Sequence, residues 1–377
     1  MITYEDWEQR DLESFLLPTT EATNSQTPFI PELPIEIWGM IHSYQPDYFL
    51  VYQFVCKAWK RQLDLENVPA IEVALRNIAK SGDLEVLQWA RKNGCPMPTC
   101  VLEGAAETGC IHILQWIEGC QYLDEFQMDK IRVVASKYGH LHILKWLVDI
   151  GSCVDNLVVE NAAEAGHLHI IKWAYPKITV PSWRLHICKK AAYGGHLDIL
   201  KWARAQDPPC PWNSEVCSEA AFEGHLHIIR WARAQDPPCP WDIEVCVNAA
   251  SEGYLHILRW ARTQDPPCPW NEWTPAHAAE YGHFEVVKWL IENGCPCAFE
   301  ALLKSSENGH IHILEWLLEN TEHIYSDWIF IQAGYHNQFA TLNWIVEKEY
   351  SVGATLPVRL YLRDKPEVLR WMDEHGL

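Results

Sequence analysis

The chain has 377 residues, with 30 Lys plus Arg set against 50 Asp plus Glu and a formal charge of −20. That balance argues against DNA or RNA as the main ligand, since a nucleic-acid binder presents a basic face. No apolar run reaches the roughly 18 residues of a membrane span, and 48% hydrophobic residues allow either two or three globular domains or one long array with an appendage.

Residues 1–28 mix Thr, Ser, Asn and Pro with acids and show little periodicity, so they read as a flexible tail. The acidic start, MITYEDWEQRDLESF, has no apolar signal core. The 14 cysteines are therefore expected to stay as thiols in a reducing, cytoplasmic compartment.

Residues 29–68 differ in character. After Leu33-Pro34, an apolar-striped helix is predicted over Glu36 to Tyr44, and one or two more over Tyr48 to Leu63. Leu33-Pro34, Glu36-Ile37, Ile41, Ser43-Tyr44-x-Pro46, Leu50 and Val55-Cys56-Lys57-x-Trp59 make this segment resemble an F-box. Gln45 and Gly39 depart from the family's pattern. The resemblance implies docking on a Skp-type adaptor of a cullin ligase, with Leu33, Pro34, Ile37, Ile41, Val55, Cys56 and Trp59 carrying the contact. The plain reading is a helical cap on an adjoining array, because forty residues bury little by themselves.

From residue 69 onward the chain repeats. Ala191 to Trp270 states one sentence nearly three times, and Gly195, Gly224 and Gly253 mark the copies 29 residues apart. A fixed period of this size announces a stacked array. Each copy predicts a short helix capped by Asn213 or Asp242, a left-handed glycine, a second helix with an apolar stripe, and a stop at Asp-Pro-Pro-Cys-Pro. Gly82, Gly109, Gly139, Gly166, Gly282 and Gly309 extend the anchors, and Asn337 and Asp364 take the last two places. That gives eleven units, each with a tryptophan seven residues on, from Trp89 to Trp371.

Trp273 to Cys295, WTPAHAAEYGHFEVVKWLIENGC, closely resembles an ankyrin repeat, with Thr274 read as N-cap and Pro275 as the first helical residue. The resemblance implies an all-α, ankyrin-like solenoid over 69–377. Its period is shorter than the family's 33, and its degenerate last units would serve as a cap. An elongated stack with an adhesive surface along loops and first helices is expected.

Twelve of the 18 histidines stand one or three residues after an anchor glycine. A spacing of two puts their side chains on different helix faces, so a hydrogen-bonded ladder is favoured over metal. Cys295-x-Cys297 lacks a second pair at zinc spacing, and no nucleophile motif or phosphate loop is present. No catalytic residue, metal or cofactor is assigned. The loop residues Asp207, Trp212, Asp236, Trp241, Asp265 and Trp270 are the candidate target-binding set, the tryptophans either packing under their loops or facing a partner. The combination of F-box and short Trp-rich repeats is similar to proteins encoded by giant viruses of amoebae, which would place the protein in host cytoplasm. It implies a ubiquitin-ligase substrate receptor; a scaffold with no ubiquitin link is the alternative.

Overall fold

The computed structural model describes residues 68–95, 97–120, 123–178, 183–296, 299–321, 326–348, 350 and 356–377. The tail 1–28, and all of the segment 29–68 except Val68, lie outside them. The chain divides into two compact units, one of residues 1–78 and 83–98, the other of residues 79–82 and 99–377.

Among the described residues there are helices and no strand, and the helices come in eleven pairs, one for each predicted anchor. The first pair is α1 (Val68–Ser81) and α2 (Leu84–Lys92). Then follow α3 (Thr99–Thr108) with α4 (Ile111–Cys120), α5 (Glu125–Lys137) with α6 (Leu141–Asp149), and α7 (Asn156–Glu164) with α8 (Leu168–Ala174). The near-identical central pairs are α9 (Trp183–Tyr193) with α10 (Leu197–Arg204), α11 (Ser214–Phe222) with α12 (Leu226–Arg233), and α13 (Ile243–Ser251) with α14 (Leu255–Arg262). After them come α15 (Trp273–Glu280) with α16 (Phe284–Glu292), and α17 (Phe299–Glu307) with α18 (Ile311–Asn320). The last are α19 (Ser326–Tyr335) with α20 (Phe339–Glu347), and α21 (Leu356–Tyr361) with α22 (Pro366–Glu374).

In the second unit the first helices form one layer and the second helices another. Within the first layer α3, α5, α7 and so on to α19 pack each on the next. Small residues permit this close approach: Ala162-Ala163, Ala191-Ala192, Ala220-Ala221 and Ala249-Ala250 are all fully buried. Each second helix inserts an aliphatic pair between the layers, such as Ile199-Leu200, Ile228-Ile229 and Ile257-Leu258, again fully buried. Every such side chain removed from water contributes about 1.5–3 kcal/mol. Because the pairs bury their apolar faces on neighbouring pairs, the unit is a repeat solenoid.

The turn between the two helices of a pair is the same in the first ten pairs. In the pair α11–α12, the Gly224 amide donates to the Ala221 carbonyl at 3.3 Å and the His225 amide to that of Ala220 at 2.7 Å. This double bond pattern closes a helix on a left-handed residue. Gly224 accordingly has φ +79°, and Asn337, standing in for glycine, has φ +57°. Asp364 is not in the left-handed region, so the last pair turns differently. A Cβ on an aspartate is costly there, and no glycine or asparagine is present to absorb it.

Over each such glycine lies a side chain from the following pair. A Cβ on Gly195 would sit 2.8 Å from His225 Nε2, and one on Gly166 would sit 2.6 Å from the His196 ring. The ring nitrogen donates to a carbonyl two residues before the glycine. His140 reaches Glu107 O at 2.9 Å, His167 reaches Lys137 O at 2.9 Å, and His310 reaches Glu280 O at 3.0 Å. The second histidine of each Gly-His-x-His turn does likewise, His142 to Gly109 O at 2.9 Å and His169 to Gly139 O at 3.1 Å. The expected ladder is therefore present. The first histidine of each turn stands at the helix N-cap position, but no side-chain cap bond is made; it bridges and does not cap. Tyr254 fills the same slot above Gly224, and Gln338 keeps the bond to Glu307 O at 3.0 Å, although the Gly-His signature is lost there.

Two expected caps are corrected. Asp242 does accept from the Glu244 amide at 3.1 Å, but the Asn213 side chain makes no cap bond. Thr274 is inside α15 and fully buried, because Asn271, the equivalent of Asn213 and Asp242, starts the turn by accepting from the Trp273 amide at 3.2 Å. Thr274 Oγ1 reciprocates, accepting from the Asn271 amide at 3.3 Å.

Gly195→Ala and Gly294→Ala both place a side chain at positive φ, +83° and +78°, but only the first meets a ring, since nothing lies within 4 Å of the second. In urea unfolding Gly294→Ala is expected to cost about 1 kcal/mol and Gly195→Ala about 2–3 kcal/mol; equal losses contradict the ring-on-glycine packing. Burial lowers the pKa of His167 and His225, opposed by their carbonyl partners and reinforced by neighbouring histidines. A folded pKa below the unfolded value near 6.5 means that the unfolded chain takes up the proton first. Stability is therefore expected to be intact above about pH 7 and to fall as pH drops through about 6.5, with His225→Gln shallowing the loss of Tm.

Candidate functional site

The connections between pairs carry the candidate target-binding residues. In the three central loops Asp207, Asp236 and Asp265, together with the two prolines after each, are exposed. The Asp-Pro bonds at 207–208, 236–237 and 265–266 are cis. Behind each exposed tip the chain turns inward on a buried cysteine. The Cys210, Cys239 and Cys268 amides each donate to a second-helix alanine carbonyl at 3.0 Å. Arg204, Arg233 and Arg262 clamp the same cysteines, donating to their carbonyl oxygens at 2.7 Å.

The same arginines stack on Trp212, Trp241 and Trp270, at 4.2, 4.2 and 3.8 Å from the ring centroids. On its other side each ring meets the following second helix at an edge, Trp212 on Trp231, Trp241 on Trp260 and Trp270 on Trp289, with centroids 5.9–6.1 Å apart. The loop tryptophans thus pack beneath their loops, half-buried, and join one second helix to the next. Cation–π and edge-to-face contacts of this kind contribute about 0.5–2 kcal/mol each. The six sequence-selected residues therefore form three identical Asp–Trp sets, one per loop, with the acid outward and the ring braced.

The repeated second-helix tryptophans pack at the seams between pairs, as Trp231, Trp260 and Trp289 do, but most are not core. Trp89 and Trp371 are buried, but the other nine are only half-buried. They lie on the flank of the apolar stripe, so truncation removes less area than a core tryptophan would. Sequence reasoning also missed Arg132, which is 5% exposed. It is held by Asp129, Asp155 and Glu125 and donates to Ser152 Oγ and Cys153 O at 3.0 Å. An arginine in place of a core residue of a first helix was the available signal. This cluster fastens α5 to the connection before α7; with a buried charge fully paired, it is structural.

The first-layer surface is acidic with aromatics. Several of its lysines are engaged: Lys190 meets Glu164 at 2.7 Å, Lys189 meets Glu215 and Glu219 at 3.4 and 3.3 Å, and Lys304 meets Glu280 and Glu307 at 3.2 and 3.0 Å. Phe222, Trp273 and Tyr281 project from it. Among the described residues no three His, Cys, Asp or Glu side chains gather at metal-binding distance, and no helix is long and apolar enough to cross a membrane. Twelve described cysteines are free thiols. Burial pushes Cys188 up to about 12. Cys239 and Cys268 are also raised, by hydrogen bonding to Cys217 and Cys246 and by burial.

Residues 246–327 match the family model for ankyrin repeats, in three copies. No curated protein matches the chain. The matched stretch runs from within α13 to the start of α19. The pairs before it carry the same glycine turn and ring contact, so the geometry of the matched copies extends over the central pairs. The array is a protein-interaction scaffold.

The thiol environments are checkable. Native-state alkylation is expected to label the exposed Cys120 and Cys153 within minutes and to leave Cys188, Cys217, Cys246 and Cys268 unmodified until denaturant is added, since these four are fully buried out of the reagent's reach. Rapid labelling of Cys217 or Cys246 in native protein contradicts the packing described.

Proposed function

We propose that the protein is a substrate receptor of a Skp–cullin–F-box ubiquitin ligase, its array gripping a target and its N-terminal segment docking on the adaptor. The observation that carries the reading is the F-box-like run from Leu33-Pro34 to Val55-Cys56-Lys57-x-Trp59 ahead of eleven interaction repeats. Leu33, Pro34, Ile37, Ile41, Val55, Cys56 and Trp59 lie outside the described residues, so the support comes from their sequence pattern alone. Nothing in this reading requires chemistry from the chain itself. Holding the target beside the charged conjugating enzyme raises the effective concentration of its lysines, to millimolar order for short tethers.

The target contacts are assigned to the three central loops. Asp207, Asp236 and Asp265 stand outward, and the free edges of Trp212, Trp241 and Trp270 lie behind them. Rings already braced by arginine and tryptophan lose little freedom on binding, which suits them as anchors. The similarity to proteins of amoeba-infecting giant viruses supports a role in host cytoplasm.

The experiment is a binding titration of the full-length chain with a purified Skp-type adaptor. Binding is expected, and Ile37→Ala with Trp59→Ala is expected to weaken it at least tenfold, about 1.4 kcal/mol or more, with the Tm of the array unchanged. If the unaltered chain does not bind, the ligase reading is lost. The scaffold without a ubiquitin link, which needs only the repeats, then stands.

A further inference from the structure

The two layers treat their basic residues differently. On the first layer Lys80, Lys189, Lys190 and Lys304 are paired with glutamates, whereas Lys130 and Lys137 of α5 are not, among the described residues. On the second layer, six consecutive pairs place a base six residues after the anchor glycine: Lys145, Lys172, Lys201, Arg230, Arg259 and Lys288. The first five are exposed and Lys288 is half-buried. Among the described residues none of the six forms an ion pair or donates a side-chain hydrogen bond. In a chain of formal charge −20, six unpaired cations in one register are not what solubility alone produces. Within the helices themselves acids are few, the exposed Asp207, Asp236 and Asp265 standing in the loops beyond. Helices α8, α12 and α14 contain none, and α6, α10 and α16 contribute Asp149, Asp198, Glu285 and Glu292.

The centre of this row is a recess. Between α12 and α14, Arg230, His256, Arg259, Trp260 and Thr263 line one groove. The Arg230 guanidinium lies over the Trp260 ring, 5.7 Å from its centroid, which holds the fork without consuming its donors. Two guanidinium groups and an imidazole around one hollow are what a carboxylate recognises, bidentate arginine contacts being the strong ones; the Thr263 hydroxyl is already committed, donating to Trp260 O at 2.8 Å.

We propose that this second-layer ridge is a binding surface for an extended acidic segment of a partner protein, with the Arg230–Arg259 groove as its centre. This surface is separate from the loop contacts assigned to the target and does not depend on the ligase reading. The register favours a peptide. Packed helices stand about 8–10 Å apart, and an extended chain advances about 3.3 Å per residue, so a carboxylate at every third residue meets one base per repeat. A nucleic acid fits less well. Single strands bind by stacking bases on free aromatic faces, whereas Trp231, Trp260 and Trp289 already meet loop tryptophans. The overall negative charge also opposes a dense polyanion.

The test is fluorescence anisotropy with the full chain and a labelled Glu-Gly-Ser repeat peptide of about 18 residues, three per helix pair. Controls are the Gln-Gly-Ser peptide and an oligothymidylate of equal length. The glutamate peptide is expected to bind, to weaken with salt, and to lose at least about tenfold in affinity in Arg230→Gln/Arg259→Gln. Lys189→Gln/Lys304→Gln, on the other layer, is expected to leave binding unchanged. Both double variants alter surface residues, and an unchanged Tm verifies their folding. Equal binding of the glutamine peptide, indifference to the arginine substitutions, or absence of binding overturns the proposal. Tighter binding of oligothymidylate overturns the peptide assignment in favour of single-stranded nucleic acid.

Discussion

The joint on which the second unit depends is a ring resting on a bare backbone. At each anchor the chain must reverse between two helices, and a left-handed residue does this in the fewest atoms. The same residue must leave room for the next pair's histidine, because a Cβ would stand within 3 Å of that ring at Gly109, Gly139, Gly166 and Gly195. One missing methyl thus satisfies two demands, one within a pair and one between pairs. The histidine then donates to a carbonyl that ends the previous helix, where the last carbonyl groups otherwise lack partners. Turn geometry and repeat stacking are consequently a single constraint.

The two faces built on this joint have opposite character. The first layer packs alanine on alanine and commits Lys80, Lys189, Lys190 and Lys304 to glutamates across repeats. The second layer packs through larger side chains, and the central loops fill the spacing between α10, α12, α14 and α16 with an arginine, a loop tryptophan and a helix tryptophan in sequence. What remains outward on that side is the uncommitted row of bases. Charge is therefore distributed by position in the repeat, acids on loops and first helices and bases on second helices.

Much of this architecture was legible because the sequence repeats. The anchor glycines, the apolar pairs four and five residues beyond them and the tryptophans seven beyond marked out the eleven helix pairs and their order. Histidine spacing pointed to the ladder. What escaped were matters of side-chain direction. Thr274-Pro275 looks like a helix start, yet Asn271 begins the turn three residues earlier, because an aspartate or asparagine after Pro-Trp occupies the same place in three loops. The helix tryptophans were legible as a register, but their place on the flank of the stripe was not. Arg132 sits where an apolar residue was expected, and only the acids around it in space explain its burial. The basic row could have been found by the register that located the tryptophans, since each base precedes one by a single residue.

The loop contacts also bear on how such an array can change length. From Ala191 to Trp270, arginine clamp, buried cysteine, braced ring and glycine seat recur with the same partners at the same separations. A duplicated or deleted 29-residue block would meet, at both of its ends, surfaces that already fit each other. Tyr254 shows that even the ring can be exchanged at such a seam. Length in this molecule is thus adjustable in whole blocks, and the reach of its binding surfaces with it, without the invention of a new interface.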